Sequence, residues 1–331
     1  MSKKENGFLK SLDAIEKSFG AGSIMNLGKT NVVDIDCISS GSLSIDFVLG
    51  GKGFPRGRIS EVFGPESSGK TTIALHVARE AIKAGGRAVI IDMEHALDIS
   101  WAKKIGCDLD RLYLTQPNGA EEALSTVEHL AKQNECDLII LDSVASLIPR
   151  PEADGAMGDS HIGLQARLMS QACRKLVPIV ASSRAAVIFI NQIRMKVGIM
   201  FGNPETTPGG NALKFASSIR LDVRAGTPIK DGDEVIGNAV RVTAVKNKIA
   251  NPKRKREADL YYGKGFCLES DVVKNAIETG VLEKSGNWIS YGETRLGNGK
   301  EAARVFLKGN KELTMELRQK VLDVWAKQRN E

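Results

Sequence analysis

Six short apolar runs, alternating from Ile59 onward with stretches of helical spacing, leave this chain few folds to choose from. The runs are ISEVF, RAVIIDME, RLYLT, DLIILDS, AVIFINQ and SSIRLDV. Their hydrophobicity is continuous rather than alternating, so each strand is covered on both faces. Strands that alternate with helices are joined by crossovers, which makes the sheet mostly parallel. The expected core is α/β. After Asp222 the pattern changes, and VIGNAVRVTAVKNK and EADLYYG read as antiparallel strands joined by polar turns. From about Cys267 a small module follows, with helical stretches at Asp271–Glu278 and Lys311–Gln328. Ahead of the core, Phe8, Leu9, Leu12, Ile15 and Phe19 fall at helical spacing, and a Gly20–Gly22 loop leads to the apolar SIMNL. That helix can pack at home or dock on a neighbouring copy, and the residues leave both open.

At 331 residues the chain exceeds the usual single domain, so one large domain with smaller attachments is expected. A formal charge of +6 is compatible with a polyanionic partner without requiring one. The cysteines Cys37, Cys107, Cys136, Cys173 and Cys267 are scattered with no C-x-x-C pair, which argues against a zinc knuckle or a disulfide framework. Reduced thiols in a cytosol are expected. The N-terminus lacks the apolar stretch of a signal peptide, and no apolar run is long enough to span a bilayer. The expectation is a cytoplasmic protein with no membrane partner.

The first chemical motif is GPESSGKT, which matches G-x-x-x-x-G-K-[ST] and lies between the strand ISEVF and the helix TTIALHVAREAIK. Gly64, Pro65, Glu66, Ser67, Ser68 and Gly69 form a loop whose backbone N–H groups converge on phosphates. Lys70 adds a point charge at the β and γ phosphates, Thr71 offers a hydroxyl to Mg²⁺, and Thr72 follows in the helix. The expected ligands are ATP and Mg²⁺. Asp142 ends the strand DLIILD; alone it reads as a strand-end cap, but beside a phosphate loop it suits the metal. Hydrolysis also needs a group that positions or deprotonates water. Glu94, after RAVIIDM, is the candidate, with Asp92 and His95 as rivals and a surface ion pair as the plain alternative. Strand alternation would set Asp92 and Glu94 on one face and His95 on the other.

GPESSGKTT, DMEHALD, LIILDSVASL, MGDSHIGLQARLMSQACRKL and FINQIRMKVGIMFGNPETTPGGNALKF together closely resemble the bacterial RecA recombinases. The similarity runs from GAGSIMNLG to the terminal module. It implies a P-loop NTPase core with a mostly parallel central sheet over residues 31–266. An N-terminal oligomerisation helix and strand (1–30) and a small α+β C-terminal domain (267–331) complete that division. It further implies a DNA-dependent ATPase of DNA recombination and repair that forms a helical filament on single-stranded DNA. The filament pairs that strand with homologous double-stranded DNA and, after DNA damage, stimulates self-cleavage of an SOS repressor.

By this resemblance Glu94 activates the attacking water and Gln192 senses the γ-phosphate, from which it can pull on the segment behind it. Asp98 and Trp101 contact the adenine, Trp101 standing where the family usually has tyrosine, and Tyr262 closes the base pocket. Lys246 and Lys248, placed by VKNKI on one face of a strand, reach a neighbour's phosphates; a solvated face is the plain alternative. Phe215 is an interface aromatic. Glu152–Gly163 and Ile193–Gly210 are the two DNA loops, with Ile162 in the first and Thr206 in the second. Arg167, Ser170 and Arg174 line one side of the following helix. Gly209, Gly210 and Asn211 precede a helix start and would point N–H groups at a DNA phosphate. Met195, Val197, Ile199, Met200 and Phe201 either wedge between bases or fold back on the core. Two departures stand out. The chain stops at WAKQRNE where the family often has an acidic tail, so restraint of DNA entry by such a tail is expected to be weak. The run Lys253–Arg256 is unusually basic, either a solvated turn or a duplex-binding patch with Lys284 and Lys300. Two other readings are a scaffold whose hydrolysis is incidental, and a P-loop ATPase with another task; FGNPETTPGGNALKF argues against the latter.

Overall fold

The computed structural model describes residues 3–20, 23–26, 35–156, 163–196, 198 and 202–330. It divides into two compact units, Met1–Ile35 and Asp36–Glu331. In the first, the apolar spacing becomes helix α1 (Lys3–Phe19), with Phe8 and Phe19 exposed. Of the strand expected after it, residues 23–26 are described and are not in a strand; residues 27–34 lie outside the described residues.

The second unit is built on a nine-stranded sheet. Its strands are β1 (Ile59–Gly64), β2 (Ala88–Asp92), β3 (Leu112–Thr115), β4 (Leu138–Asp142), β5 (Ala186–Gln192), β6 (Ile219–Asp231), β7 (Glu234–Asn247), β8 (Lys255–Tyr261) and β9 (Gly265–Phe266). The order across the sheet is β9-β8-β7-β6-β1-β5-β4-β2-β3. From β6 to β3 all neighbours are parallel, and from β6 to β9 they are antiparallel. The six apolar runs are therefore the six parallel strands, and the change of pattern after Asp222 marks the turn to antiparallel pairing. Ile188 and Ile190 of β5 face one apolar layer with Ile73 and Val77, while Val187 and Phe189 face the other with Val127 of helix α5 (Ala120–Gln133) and Met169. This two-sided burial is why the runs do not alternate; each such side chain contributes about 1.5–3 kcal/mol. Among the described residues no helix is long and apolar enough to cross a membrane.

The C-terminal residues form helices α8 (Leu268–Glu278), α9 (Lys300–Gly309) and α10 (Lys311–Asn330) around a small three-stranded sheet of residues 283–298. Val272, Ile289, Leu307, Val321 and Trp325 make a separate core, and Leu43 from helix α2 (Leu43–Val48) is part of it. The junction is also polar. Asp271 is almost fully buried and accepts from the hydroxyls of Ser42 and Ser44, the latter at 2.7 Å. Burial pushes its carboxyl up to about 6, against the pull of those hydroxyls. Because the folded value lies above the unfolded one, the protonated form's stabilisation is full below about pH 4 and is lost as pH rises through about 6. Asp271→Asn, which cannot titrate, is expected to flatten the unfolding free energy between pH 4 and 7 by up to about 3 kcal/mol. Urea melts across that range check it; an unchanged slope would remove Asp271 as the source.

Candidate functional site

The rim where the parallel strands end gathers the phosphate loop and its acidic partners. Gly64 ends β1 opposite Gln192 of β5, and Asp92 of β2 stands opposite Asp142 of β4. A Cβ on Gly64 would lie 2.0 Å from the Val223 carbonyl oxygen, so only glycine fits. After it, Ser67 and Gly69 take positive φ values of 56° and 96°, curling the chain into helix α3 (Lys70–Lys83). No side chain caps α3, so its first N–H groups face the loop and suit an anion. Ser68 Oγ is buried with no hydrogen-bond partner among the described residues, an orphan that a phosphate oxygen would satisfy. Lys70 Nζ donates to the Pro65 carbonyl at 2.6 Å, and burial lowers its pKa. Lys70 is thus folded over the loop that a phosphate would fill. Pro65, Glu66 and Thr72 complete the segment.

Thr71 Oγ1 donates to Asp142 Oδ2 at 2.7 Å. Burial raises the Asp142 carboxyl to about 6, the Thr71 hydroxyl opposes this, and the nearby Glu94 and Asp92 charges add to it. A divalent cation between Thr71 and Asp142 would relieve that cost. Among the described residues no three acidic, histidine or cysteine side chains form a metal cluster. Two protein oxygens suit Mg²⁺, which keeps most of its shell for phosphates and water.

Glu94 lies in this rim, although not through strand alternation. β2 ends at Asp92, and Glu94 sits in the following bend. Asp92 is buried and accepts from the Glu94 and Leu97 N–H groups and from Gln116 Nε2, all at 3.1 Å. It shapes the bend that presents Glu94. His95 is exposed, with φ 54°. Glu94 Oε1 accepts from Ser143 Oγ at 2.6 Å and from Gln192 Nε2 at 2.9 Å. Ser143 was not among the candidates; its signal is its place directly after Asp142 in DLIILDS.

Beside the loop lies a groove of about 260 Å³ lined by residues 67–72, Trp101, Leu260 and Tyr262. Trp101 Nε1 donates to Thr72 Oγ1 at 3.2 Å, fixing the indole against α3. Asp98 caps helix α4 (Ile99–Ile105) by accepting from the Ser100 N–H at 2.8 Å, and the Ser100 hydroxyl, then the Ser100 N–H, hold its carboxyl below the usual range. The Tyr262 hydroxyl accepts from Asn238 Nδ2 at 2.6 Å.

Of the first DNA-loop candidate, residues 157–162, including Ile162, lie outside the described residues. Helix α6 (Leu164–Ala181) follows, with Arg167 and Arg174 exposed and Ser170 half-buried at positions sharing one side. In the second loop Val197 and Phe201 are likewise outside the described residues. Met195 does not fold back on the core, since it is 64% exposed. Arg194 and Met195 pair with Thr206 and Glu205 in a short antiparallel ladder. Glu205 is held by Arg224 through two bonds, 2.8 and 2.6 Å, and Thr206 Oγ1 accepts from Lys214 Nζ at 3.1 Å. Gly209 and Gly210 have positive φ and Asn211 precedes helix α7 (Ala212–Ala216), as the turn requires. One expectation is corrected: the Gly209 N–H is not free but donates to Gln165 Oε1 at 3.1 Å.

Lys246 and Lys248 are not brought to this rim. β7 runs antiparallel to β6, so its end at Asn247 lies beside Ile219, at the start of the parallel strands. Lys248 is just past that end rather than on the strand, and its N–H donates to the Ser218 carbonyl at 2.9 Å. Lys246 Nζ donates to the carbonyls of Lys214 and Phe215 at 2.7 and 2.9 Å; burial and then Lys248 lower its pKa. Phe215 is 75% exposed beside it. The basic run is only half a solvated turn. Arg254 and Arg256 stack over Phe47 at 5.0 and 4.1 Å, and Arg256 pairs with Glu278 at 2.7 Å. Lys255 and Lys300 line a groove of about 380 Å³ there, with Arg241.

Family models for the RecA N-terminal domain and the RecA C-terminal domain match residues 7–267 and 270–326. A Protein RecA of Rhodopirellula baltica is 57% identical over 319 residues, 96% of this chain and 85% of the relative. Those of Geobacter sulfurreducens and Thermus aquaticus are each 53% identical, covering 97% of this chain and 95% and 94% of their own lengths. With a phosphate loop, an acidic strand end and a glutamate–glutamine pair on one rim, and both family models matching in turn, the chain belongs to the RecA family.

Proposed function

We propose that this chain is an ATP-dependent DNA recombinase that polymerises on single-stranded DNA and pairs it with homologous duplex. The observation that carries the reading is Glu94, held by Gln192 and Ser143 at the mouth of the phosphate loop. In this reading the loop residues from Gly64 to Thr72 hold the triphosphate, with Asp98, Trp101 and Tyr262 around the base. Thr71 and Asp142 hold Mg²⁺, which when bound neutralises phosphate charge. Glu94 takes the proton of the attacking water, and Gln192, whose amide both donates and accepts, exchanges Glu94 for the γ-phosphate. Arg167, Ser170, Arg174, Met195, Thr206, Gly210 and Asn211 face single-stranded DNA. Binding there through Gly209 requires its N–H to leave Gln165. The division at residues 30 and 266, a cytoplasmic location and action as a platform for an SOS repressor's self-cleavage belong to the same proposal.

Hydrolysis with and without single-stranded DNA tests it. DNA is expected to raise the rate strongly, and Lys70→Ala to lower it at least about a hundredfold by removing the charge at the phosphates. Hydrolysis indifferent to DNA would keep the phosphate loop and sink the recombinase.

A further inference from the structure

The peptide unit between Pro208 and Gly209 is gripped at both polar ends by side-chain amides from two different parts of the fold. Its carbonyl accepts from Asn191 Nδ2 at 3.2 Å, and its N–H donates to Gln165 Oε1 at 3.1 Å. Both N–H donors of each amide are engaged, which fixes the orientation of both side chains. Asn191 is fully buried; its Nδ2 also donates to Glu61 Oε1 at 3.0 Å, and its Oδ1 accepts from the Gln192 N–H at 3.0 Å. Glu61 is itself fixed by Arg220 at 2.5 Å. Gln165 Nε2 donates to the carbonyls of Val144 and Leu147 at 2.9 and 3.0 Å, just beyond Asp142. One peptide plane therefore joins the residue next to Gln192, the helix leaving the first loop and the backbone following the metal-side strand. A backbone unit held from both ends moves only if both amides move or one bond breaks.

We infer that the 208–209 peptide is a coupling joint, in which Gln165 and Asn191 act as positioning residues that transmit the nucleotide state at Gln192 to the second loop. This rests on the function proposed above. When Gln192 shifts between Glu94 and a γ-phosphate, its N–H carries Asn191 with it, and Asn191 carries the Pro208 carbonyl. Gln165 sets where the peptide rests when no DNA is bound, because it occupies the Gly209 N–H. The coupling element is thus a local hydrogen-bond exchange with two arrangements rather than a motion of the whole sheet.

The test is the ratio of affinities for a fluorescein-labelled oligothymidylate in ATP and in ADP, read by anisotropy. Equilibrium binding of a fluorescent ATP analogue without DNA reports nucleotide binding alone. The parent is expected to bind the strand more tightly in ATP. Gln165→Met, which fills the space but offers no amide, is expected to shrink the ratio about tenfold while ATP affinity stays within about twofold. Gln165→Glu, which retains the oxygen facing Gly209, is expected to recover part of the ratio. A role in packing alone predicts the reverse order, because a carboxylate would face the Val144 and Leu147 carbonyls. That order still decides the matter if Gln165→Met melts early. A parent-like ratio in Gln165→Met, or Met outperforming Glu, overturns the joint and leaves the recombinase reading intact. A parent with no difference between ATP and ADP overturns both.

Discussion

Replacing Lys246 and Lys248 together by alanine is expected to cut DNA-stimulated ATP hydrolysis by about three orders of magnitude or more, with ATP binding to the isolated chain unchanged. Cations that stabilise a transferring phosphoryl group from a second subunit have effects of that size. The reason for assigning these lysines to another copy is their position. They lie beside Ser218 and Ile219, whereas the phosphate loop leaves the far end of β1. Five strand steps of about 3.3 Å separate Ile59 from Gly64, roughly 16 Å, farther than a lysine's four-carbon stem reaches. Mixing decides it. The double variant retains a sound phosphate loop, and Lys70→Ala retains sound lysines, so an equimolar mixture should hydrolyse ATP when neither protein alone does. No recovery on mixing would remove the lysines from the chemistry.

Glu94→Gln is expected to slow hydrolysis by about two to four orders of magnitude, the range for loss of a general base. ATP binding should survive, because Glu94 holds none of the phosphate-loop contacts. The geometry should survive too, since the new amide oxygen still accepts from Gln192 and Ser143. Protein assembled on single-stranded DNA should therefore persist in ATP as it would with an analogue that cannot be cleaved. Single-turnover hydrolysis and dissociation from labelled DNA read the two effects separately. A rate loss under about tenfold would return the base role to water or another group.

The fold was legible wherever burial is two-sided. Phe189 and Ile190 must both be apolar because each faces a covered layer, and that requirement is written into AVIFINQ. The phosphate loop was legible because Gly64 and Gly69 answer a steric and a dihedral demand that few other residues meet. Strand alternation is an incomplete reason for Glu94. The strand stops at Asp92, and a buried carboxylate collecting three hydrogen bonds turns the chain to present Glu94. Such tertiary hydrogen bonds leave no periodic trace. For the same reason nothing in the sequence singles out Ser143, Gln165 or Asn191, since polar residues at strand ends and helix starts look alike until their partners are known. The basic run is opaque in another way: charge counts as solvated in a sequence, yet the guanidinium groups of Arg254 and Arg256 sit over the ring of Phe47, more than two hundred positions away.

If Lys246 and Lys248 serve a neighbour's phosphates as proposed, their separation from their own phosphate loop also bears on how copies add to one another. In the assembly proposed above, a contact that brings one rim of a copy to the opposite rim of the next is repeated head-to-tail, and it gives an open filament when the rotation between copies does not close a ring. Growth of such a filament would be polar. One terminal subunit would carry a nucleotide that no lysine attends, and the other would carry lysines with nothing to attend. The unattended nucleotide would outlast those along the interior, giving the assembly chemically different ends without any further component.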